Sequence, residues 1–149
     1  MDAPDTALVM KLLSSALLLS FSLFLGGCSG SSHPELQAVI EANAQASQSE
    51  DIDAYLKTIH PSSDQYSIAQ GLLPPIFLMC DLKYRVESFQ VDSVEQNDVH
   101  VNYVVITEKG DGIGLPYRDN KISFDTTLRK DGDTWKIFDL KPGKVEYLS

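Results

Sequence analysis

Four side chains are candidates for proton-transfer chemistry: His60, Asp64, Asp125 and Asp139. Such catalysis needs a base whose pKa lies near the working pH and a donor that stabilises the developing oxyanion. Asp64 lies in the hydrophilic run SSDQ, so water should reach it. Asp125 alternates with apolar strand residues, and it can face either a polar pocket or solvent. Asp139 and His60 have apolar neighbours, but no spacing brings them together. We therefore expect a pocket that binds a ligand without catalysing a reaction.

Aromatic side chains supply the other candidates for a binding pocket. Aromatic residues at alternate strand positions can line a pocket or fill the core, and both alternatives stay open. The pocket candidates are Tyr55, His60, Tyr84, Tyr103, Trp135 and Asp139. Trp135 is also expected to close the last hairpin and to face the helices.

No sequence pattern predicts a metal ion or a cofactor. The three histidines have no metal-ligand spacing, and there is neither a C-x-x-C pair nor an Asp-rich calcium loop. Gly110, Gly112 and Gly114 form G-x-G-x-G, but a phosphate-binding loop needs a helix directly after it. Since a strand is predicted there, we interpret this loop as a hairpin connection.

The N-terminal segment has the features of a targeting signal. Leu12–Leu25 is an uncharged run of 14 residues, shorter than the roughly 20 residues that span a bilayer as a helix. It fits the apolar part of a secretory signal. Leu25, Gly26, Gly27 and Cys28 end this run and resemble the lipobox of bacterial lipoproteins. The resemblance implies that the Cys28 thiol takes a diacylglycerol, that the signal is cut before it, and that the lipid anchors the protein to a membrane.

These features predict three segments: a signal peptide (1–27), the lipidated cysteine with a short linker (28–33), and a folded domain (34–149). The acidic residues at the extreme N-terminus are atypical of a signal peptide, which begins with positive charge. Our hypothesis is therefore that translation starts at Met10. A plain secretory signal with an incidental cysteine stays open. Ser29, by resemblance to enterobacterial lipoproteins, favours the periplasmic face of an outer membrane within the bacterial cell envelope. A Gram-positive surface location also stays open.

Helical periodicity dominates the first half of the folded domain. One helix is expected to begin at Pro34, and the spacing within Ile52–Ile59 predicts a second, ending at about His60. A third helix should begin near Ser63. Gly71 and the pair Pro74-Pro75 are expected to break it, with a separate last turn over Ile76–Cys80.

Apolar residues then alternate with polar ones, which predicts four antiparallel strands. The apolar parity flips in the first strand, so a bulge is expected near Glu87–Ser88. Asp131-Gly132 predicts a tight turn, and the last strand can continue past Pro142-Gly143 to Tyr147. The fold class is therefore α+β, with N-terminal helices packed on a curved four-stranded antiparallel sheet.

Three segments resemble the nuclear transport factor 2-like superfamily, which includes SnoaL-like and ketosteroid isomerase-like proteins. They read DIDAYLKTIHP, DLKYRVESF to VDSV, and TLRKDGDTWKIFDL. The resemblance covers about residues 34–141 and implies a cone, in which a strongly curved sheet wraps a long helix and encloses a pocket. This fold hosts isomerases, cyclases, dehydratases and many proteins that are not enzymes. Isomerase members pair a carboxylate base with a tyrosine and a protonated carboxyl group, and no such set stands out here.

Charge excludes one class of partner. The chain has 21 acidic and 12 basic residues and a net charge of −9, whereas nucleic-acid binding needs a basic surface.

Our interpretation is a membrane-anchored, non-catalytic lipoprotein whose cone binds a small apolar ligand. One alternative is an interaction module that forms a homodimer through the sheet, with an apolar patch of Val104, Ile106, Phe138 and Leu140. The other is an enzyme of the isomerase or cyclase type.

Overall fold

Three α-helices precede four β-strands in the computed structural model, which describes residues 33–112 and 116–149. The elements are α1 (Pro34–Gln48), α2 (Ile52–Thr58), α3 (Asp64–Met79), β1 (Leu82–Val94), β2 (Asp98–Lys109), β3 (Asn120–Asp131) and β4 (Thr134–Tyr147). They belong to one compact unit, Ser31–Ser149. The predicted α+β class is confirmed. The predicted signal peptide and Cys28 lie outside the described residues.

Short-range capping fixes where the helices begin. Pro34 occupies the first turn of α1, where a missing amide hydrogen breaks no helical bond. Asp51 caps α2, because its carboxylate accepts a hydrogen bond from the Ala54 amide at 2.9 Å. Ser63 caps α3 by accepting one from the Gln65 amide at 3.1 Å. The predicted helix starts are therefore confirmed, each by a polar or proline signal in the sequence.

The second helix ends two residues earlier than predicted. The backbone of Ile59 is extended, and Ile59 forms a parallel bridge with Ile137 of β4. The His60 amide then donates to the Ile137 carbonyl at 2.8 Å. This conformation buries Ile59, which is only 1% exposed. Core packing and strand pairing thus replace the last helical turn.

The prediction that Gly71 and Pro74-Pro75 break α3 is wrong, because the helix runs without interruption through all three residues. The prolines lack the amide hydrogens that would bond to the carbonyls of Gln70 and Gly71. Both of these residues are exposed. Water can therefore solvate the two carbonyls, and the cost of the missing bonds is too small to end the helix.

The strands form an antiparallel meander in the order β1-β2-β3-β4. The register between β1 and β2 shifts between Val86 and Ser88, which confirms the bulge predicted from the flip of apolar parity. A second shift lies between Val91 and Ser93, which the sequence pattern did not predict. Bulges bend a strand and increase its twist, so β1 curves around the helices.

A bulge at Phe138 changes which face of β4 each later side chain occupies. Ile137 and Asp139 pair with adjacent residues of β3, so Phe138 has no partner there. Beyond the bulge, Leu140 packs towards the core, whereas Asp139 is paired with a neighbouring lysine on the outer face. The parity of Trp135 and Ile137 therefore does not extend to Asp139. The sequence leaves open whether Asp139 points inwards with these two residues or whether the strand has turned by this point, and the structure shows the second.

The hydrophobic core fills the space between the helices and the inner face of the sheet. Its buried members are Leu36, Ile40, Ile59, Val99, Val101, Tyr103, Val105, Leu128 and Ile137. Trp135 packs against this cluster but remains half-buried, with the Lys130 ammonium group 5.2 Å from its ring centroid. The core is thus centred on β2, and Trp135 lies at its margin.

Candidate functional site

A cavity of about 280 Å³ lies between the three helices and the inner face of the sheet. Every helix and every strand contributes to its wall. The wall residues are Ile40, Asn43, Ala44, Ser47, Tyr55, Leu73, Ile76, Phe77, Leu82, Tyr84, Tyr103, Val105, Thr107, Tyr117, Ile122, Phe124 and Leu140. None of these described wall residues is acidic or basic. The cavity therefore suits a neutral molecule, because burying an unpaired ion is costly.

α1 presents small and neutral polar side chains to the cavity. Asn43, Ala44 and Ser47 continue the helical stripe that begins in the core with Ile40. The Asn43 side chain is held by its amide, which donates to the Thr58 hydroxyl at 2.8 Å. The stripe becomes less apolar towards the C-terminal end of α1, because there the helix borders the cavity instead of the packed core.

Three tyrosines on the wall remain protonated well above neutral pH. Burial raises the pKa of Tyr84 to about 12, and the nearby Tyr117 phenol adds to this shift. Burial also raises the pKa of Tyr103 to about 12 and raises the pKa of Tyr55. Each of these side chains therefore keeps the phenol proton that hydrogen-bond donation requires.

Tyr117 reaches the cavity from the connection between β2 and β3, and Asn120 fixes its position. The Asn120 amide nitrogen donates to the Tyr117 hydroxyl oxygen at 2.7 Å and to the Arg118 carbonyl at 3.0 Å. Asn120 is only 5% exposed. The Arg118 guanidinium lies 4.5 Å from the Tyr147 ring centroid. A buried amide and a contact with β4 thus hold this part of the connection in place.

The structure places three of the six predicted pocket residues on the cavity wall: Tyr55, Tyr84 and Tyr103. They come from α2, β1 and β2. Tyr103 stacks on Phe124 with ring centroids 5.2 Å apart. Trp135 is not part of the wall.

His60 and Asp139 also lie outside the cavity wall, in contacts of their own. The Nδ1 atom of His60 accepts a hydrogen bond from the Ser62 amide at 3.1 Å, and its ring meets Phe138 edge-on at 5.5 Å. Asp139 is 2.9 Å from the Lys141 ammonium group. The structure therefore does not bring His60 and Asp139 together with the tyrosines.

The two remaining carboxylates considered for catalysis are exposed to water, which was predicted for Asp64 and was one of two alternatives for Asp125. Asp64 is the first residue of α3, and Asp125 lies on the outer face of β3. Neither belongs to the cavity wall.

The predicted pocket residues did not include three of the aromatic wall residues, Phe77, Tyr117 and Phe124. Phe124 has the alternation of a strand residue, which is equally typical of the core. Tyr117 lies in the Gly- and Pro-rich connection, where periodicity gives no information about burial. Phe77 lies in the turn that the prolines were expected to separate from α3. The polar end of the α1 stripe, Asn43 and Ser47, is the signal that could have indicated a cavity, since a packed core would favour bulky apolar residues there.

The glycines after β2 serve a structural purpose around Asp81. The Gly112 amide donates to the Asp81 carboxylate at 2.6 Å, and the Gly110 amide donates to the Asp81 carbonyl at 2.8 Å. A Cβ atom on Gly110 would overlap the Asp81 carboxylate where it now lies. Glycine permits this close approach, which agrees with a connection between strands. Gly114 lies outside the described residues.

The four residues considered for an apolar patch, Val104, Ile106, Phe138 and Leu140, do not form one exposed surface. Ile106 is 4% exposed, and Leu140 lines the cavity. Phe138 is covered by the Arg129 guanidinium, 3.5 Å from the ring centroid. The bulge at Phe138 is the reason that Leu140 turns inwards. Most of the large apolar side chains exposed in the described residues instead belong to α3: Ile68, Leu72, Ile76, Leu78 and Met79.

The helices of residues 33–112 and 116–149 lack the combination of length and hydropathy that a bilayer crossing requires. No three His, Cys, Asp or Glu side chains there are grouped so that they could share a metal ion.

Residues 38–148 match the sequence model of a family described as anti-sigma-I factor RsgI9, C-terminal domain. The match covers most of the chain. No curated protein sequence matches the chain.

Solved structures with the same fold come from several bacteria. A candidate aromatic ring hydroxylase from Novosphingobium aromaticivorans is 16% identical, with a TM-score of 0.62, over 78% of this chain and 92% of its own. A candidate scytalone dehydratase from the same organism is 11% identical, with a TM-score of 0.62, over 78% and 87%. An NTF2-like protein of unknown function from Shewanella oneidensis is 13% identical, with a TM-score of 0.54, over 73% and 96%. The nuclear transport factor 2-like fold is confirmed, and these identities show the fold alone.

Proposed function

The chain belongs to the family of the anti-sigma-I factor RsgI9 C-terminal domain, and we propose that it is a non-catalytic module whose cavity binds one small, mainly apolar ligand. The observation that carries this proposal is the cavity itself. Its volume of about 280 Å³ is roughly twice that of an apolar cavity that holds benzene, about 150 Å³. A molecule of about two fused rings would fill it.

The composition of the wall supports binding without turnover. Proton-transfer catalysis needs a titratable base within hydrogen-bond reach of the substrate. The described wall offers phenols, hydroxyls and one amide, with Tyr84 and Tyr103 ionising only near pH 12. An isomerase or cyclase would require a carboxylate or an imidazole in the wall, and His60 and Asp139 are both elsewhere.

The family relation supports a regulatory role for ligand binding. RsgI9 is named as an anti-sigma factor, and the match is to its C-terminal domain. In this proposal, occupancy of the cavity is the signal, and no product is formed. A binding module without turnover is suited to that task, because the response follows ligand concentration.

We further propose that lipid on Cys28 holds the domain at the periplasmic face of an outer membrane. The support is the sequence Leu25-Gly26-Gly27-Cys28 after an uncharged run. Two or three acyl chains anchor a protein stably, whereas one does not. The residues from Cys28 to the start of α1 at Pro34 span at most about 20 Å when extended. The cavity would then sample small molecules close to the membrane surface.

Two substitutions in α1 test the binding function. Ala44 lines the cavity, whereas Ala42, half a turn away, is exposed. Ala44→Phe should fill part of the cavity, and Ala42→Phe adds the same ring to the surface. Naphthalene is the probe, titrated into residues 31–149 and followed by isothermal calorimetry.

We expect the wild type and Ala42→Phe to bind naphthalene equally, at one site per chain. Ala44→Phe should weaken this binding at least tenfold. Equal affinity in all three proteins would place the site elsewhere, and the absence of binding to the wild type would overturn the proposal.

The chain provides a matched control for the proposed anchor, because it has two cysteines. Cys28→Ala should move the protein from the detergent phase to the aqueous phase. Cys80→Ala should leave partitioning unchanged, since Cys80 is half-buried after α3. Unchanged partitioning of Cys28→Ala would contradict lipidation.

A further inference from the structure

We propose that the exposed face of α3 docks on the surface of a lipid bilayer whose headgroups carry no net charge. This inference rests on the proposed lipid anchor at Cys28 and is independent of the proposed ligand in the cavity. The anchor brings the domain to the membrane, and α3 determines which side of the domain faces the lipid. Three observations support docking: the spacing of exposed apolar residues in α3, the absence of charge from most of that helix, and the length of chain before α1.

Exposed apolar side chains form a stripe along one side of α3. Four of them follow each other at intervals of four, four and three residues, which places them on one face of a helix, and Leu78 flanks this line. The opposite side of the helix carries Ala69, Leu73 and Phe77, which are buried or half-buried. The stripe, called the α3 stripe below, consists of Ile68, Leu72, Ile76, Leu78 and Met79.

The α3 stripe lies in the longest uncharged run of the folded domain. No charged residue occurs between Asp64, the first residue of α3, and Asp81, which follows the helix. Each of the other helices and strands contains an aspartate or a glutamate beyond its first residue. Since burying an unpaired charge is costly, α3 is the element that can approach lipid most favourably. The net charge of −9 makes copies of the chain repel each other, which favours a neutral bilayer over a second copy.

The short chain before α1 keeps the domain beside the bilayer. Residues from Cys28 to Pro34 span at most about 20 Å when extended, whereas a folded domain of about 120 residues has a diameter of roughly 35 Å. The anchored domain therefore cannot move away from the lipid by more than its own diameter. Docking becomes an intramolecular step at an effective concentration on the order of millimolar, so a face with weak affinity for lipid is sufficient.

The two prolines limit how deeply α3 can enter the bilayer. Pro74 and Pro75 leave the carbonyls of Gln70 and Gly71 without helical hydrogen bonds. The hydrocarbon layer cannot supply hydrogen-bond donors to these carbonyls, whereas the hydrated headgroup layer can. α3 therefore lies in the headgroup layer, and the α3 stripe reaches the boundary of the acyl chains, as in other interfacial helices.

A tryptophan added to the α3 stripe can report this contact. The experiment uses residues 28–149 with Cys80→Ala, coupled through the Cys28 thiol to a maleimide lipid in phosphatidylcholine vesicles. Brominated lipids quench tryptophan on contact, and the signal of Trp135 in the parent protein is subtracted. Leu78→Trp tests the stripe, at a position that is 89% exposed. Val94→Trp is the matched control, because Val94 is an exposed apolar residue at the far end of β1, the strand that follows α3.

We expect brominated lipid to quench the added tryptophan of Leu78→Trp at least about threefold more than that of Val94→Trp, because interfacial docking brings only the first to the acyl boundary. Adding Leu72→Asp to Leu78→Trp should weaken docking about tenfold or more, since a charge replaces a buried apolar side chain. Replacing half of the phosphatidylcholine by an anionic lipid should also reduce quenching at low salt, because the domain is acidic. Thermal melting checks that the variants are folded, and the comparison of Leu78→Trp with Val94→Trp decides the question without Leu72→Asp.

The outcomes separate docking from the proposed anchor. Equal quenching of Leu78→Trp and Val94→Trp would overturn docking through α3. A dimer of residues 31–149 that Leu72→Asp abolishes, seen by sedimentation, would also overturn it, because the α3 stripe would then bind a second copy. The maleimide link replaces acylation, so stronger quenching of Leu78→Trp together with unchanged detergent partitioning of Cys28→Ala would support the docking face and refute the natural anchor.

Discussion

Phe77→Ala should destabilise the domain far more than Leu78→Ala, although the two residues are neighbours in α3. Phe77 is 8% exposed and lines the cavity, whereas Leu78 is 89% exposed. Truncating a buried Phe usually costs about 3–5 kcal/mol. Because one side of Phe77 already borders open space, its neighbours lose fewer contacts, and we expect about 2–4 kcal/mol. Leu78→Ala should stay within about 0.5 kcal/mol of the wild type.

Urea unfolding and thermal melting of residues 31–149, followed by circular dichroism, measure this difference. A domain of about 120 residues has an unfolding entropy near 0.25 kcal/mol per degree. Phe77→Ala should therefore lower Tm by about 8–16 °C. A loss below about 1 kcal/mol in Phe77→Ala, or an equal loss in Leu78→Ala, would refute the assignment of Phe77 as a buried residue of the cavity wall.

Three other predictions follow from the site and its surroundings. The double substitution His60→Ala with Asp139→Asn should leave the Kd for naphthalene within about twofold, because both side chains lie outside the cavity wall; calorimetry checks this. Tyr84→Phe should remove one phenol that ionises near pH 12, seen as a smaller rise in tyrosinate absorbance at high pH. The hydrogen bond from Arg129 lowers the pKa of Asp98, so this pair stabilises the fold above the ordinary Asp pKa of about 3.9. That contribution is lost as pH falls through the lowered native pKa, so the stability deficit of Asp98→Asn at pH 6 should shrink towards pH 2 in urea unfolding.

Much of the fold could be predicted from the sequence, because burying one face of a helix or strand imposes a regular spacing on its apolar residues. The sequence of β2 predicts a strand with one buried face, because its apolar residues alternate with others. All four of these residues are buried: Val99, Val101, Tyr103 and Val105. The first bulge of β1 was predictable because a change of apolar parity within one strand has no other simple explanation.

The features that could not be predicted depend on tertiary structure, which the local sequence does not determine. The effect of Pro74-Pro75 depends on whether the freed carbonyls face water, which is a tertiary property. The orientation of Asp139 depends on a bulge at Phe138, whose residue type gives no signal. Tyr117 joins the cavity through its bond to Asn120, and residues in a connection have no period from which to infer burial.

The central claim, that the cavity binds the ligand, is tested most directly by locating a bound probe. Nuclear Overhauser contacts between naphthalene and the ¹³C-labelled methyl groups of residues 31–149 report its position. The cavity predicts contacts to Ile40, Ile122 and Leu140, whose side chains form the wall. Contacts confined to Leu72 and Leu78 on the exposed side of α3 would contradict the account.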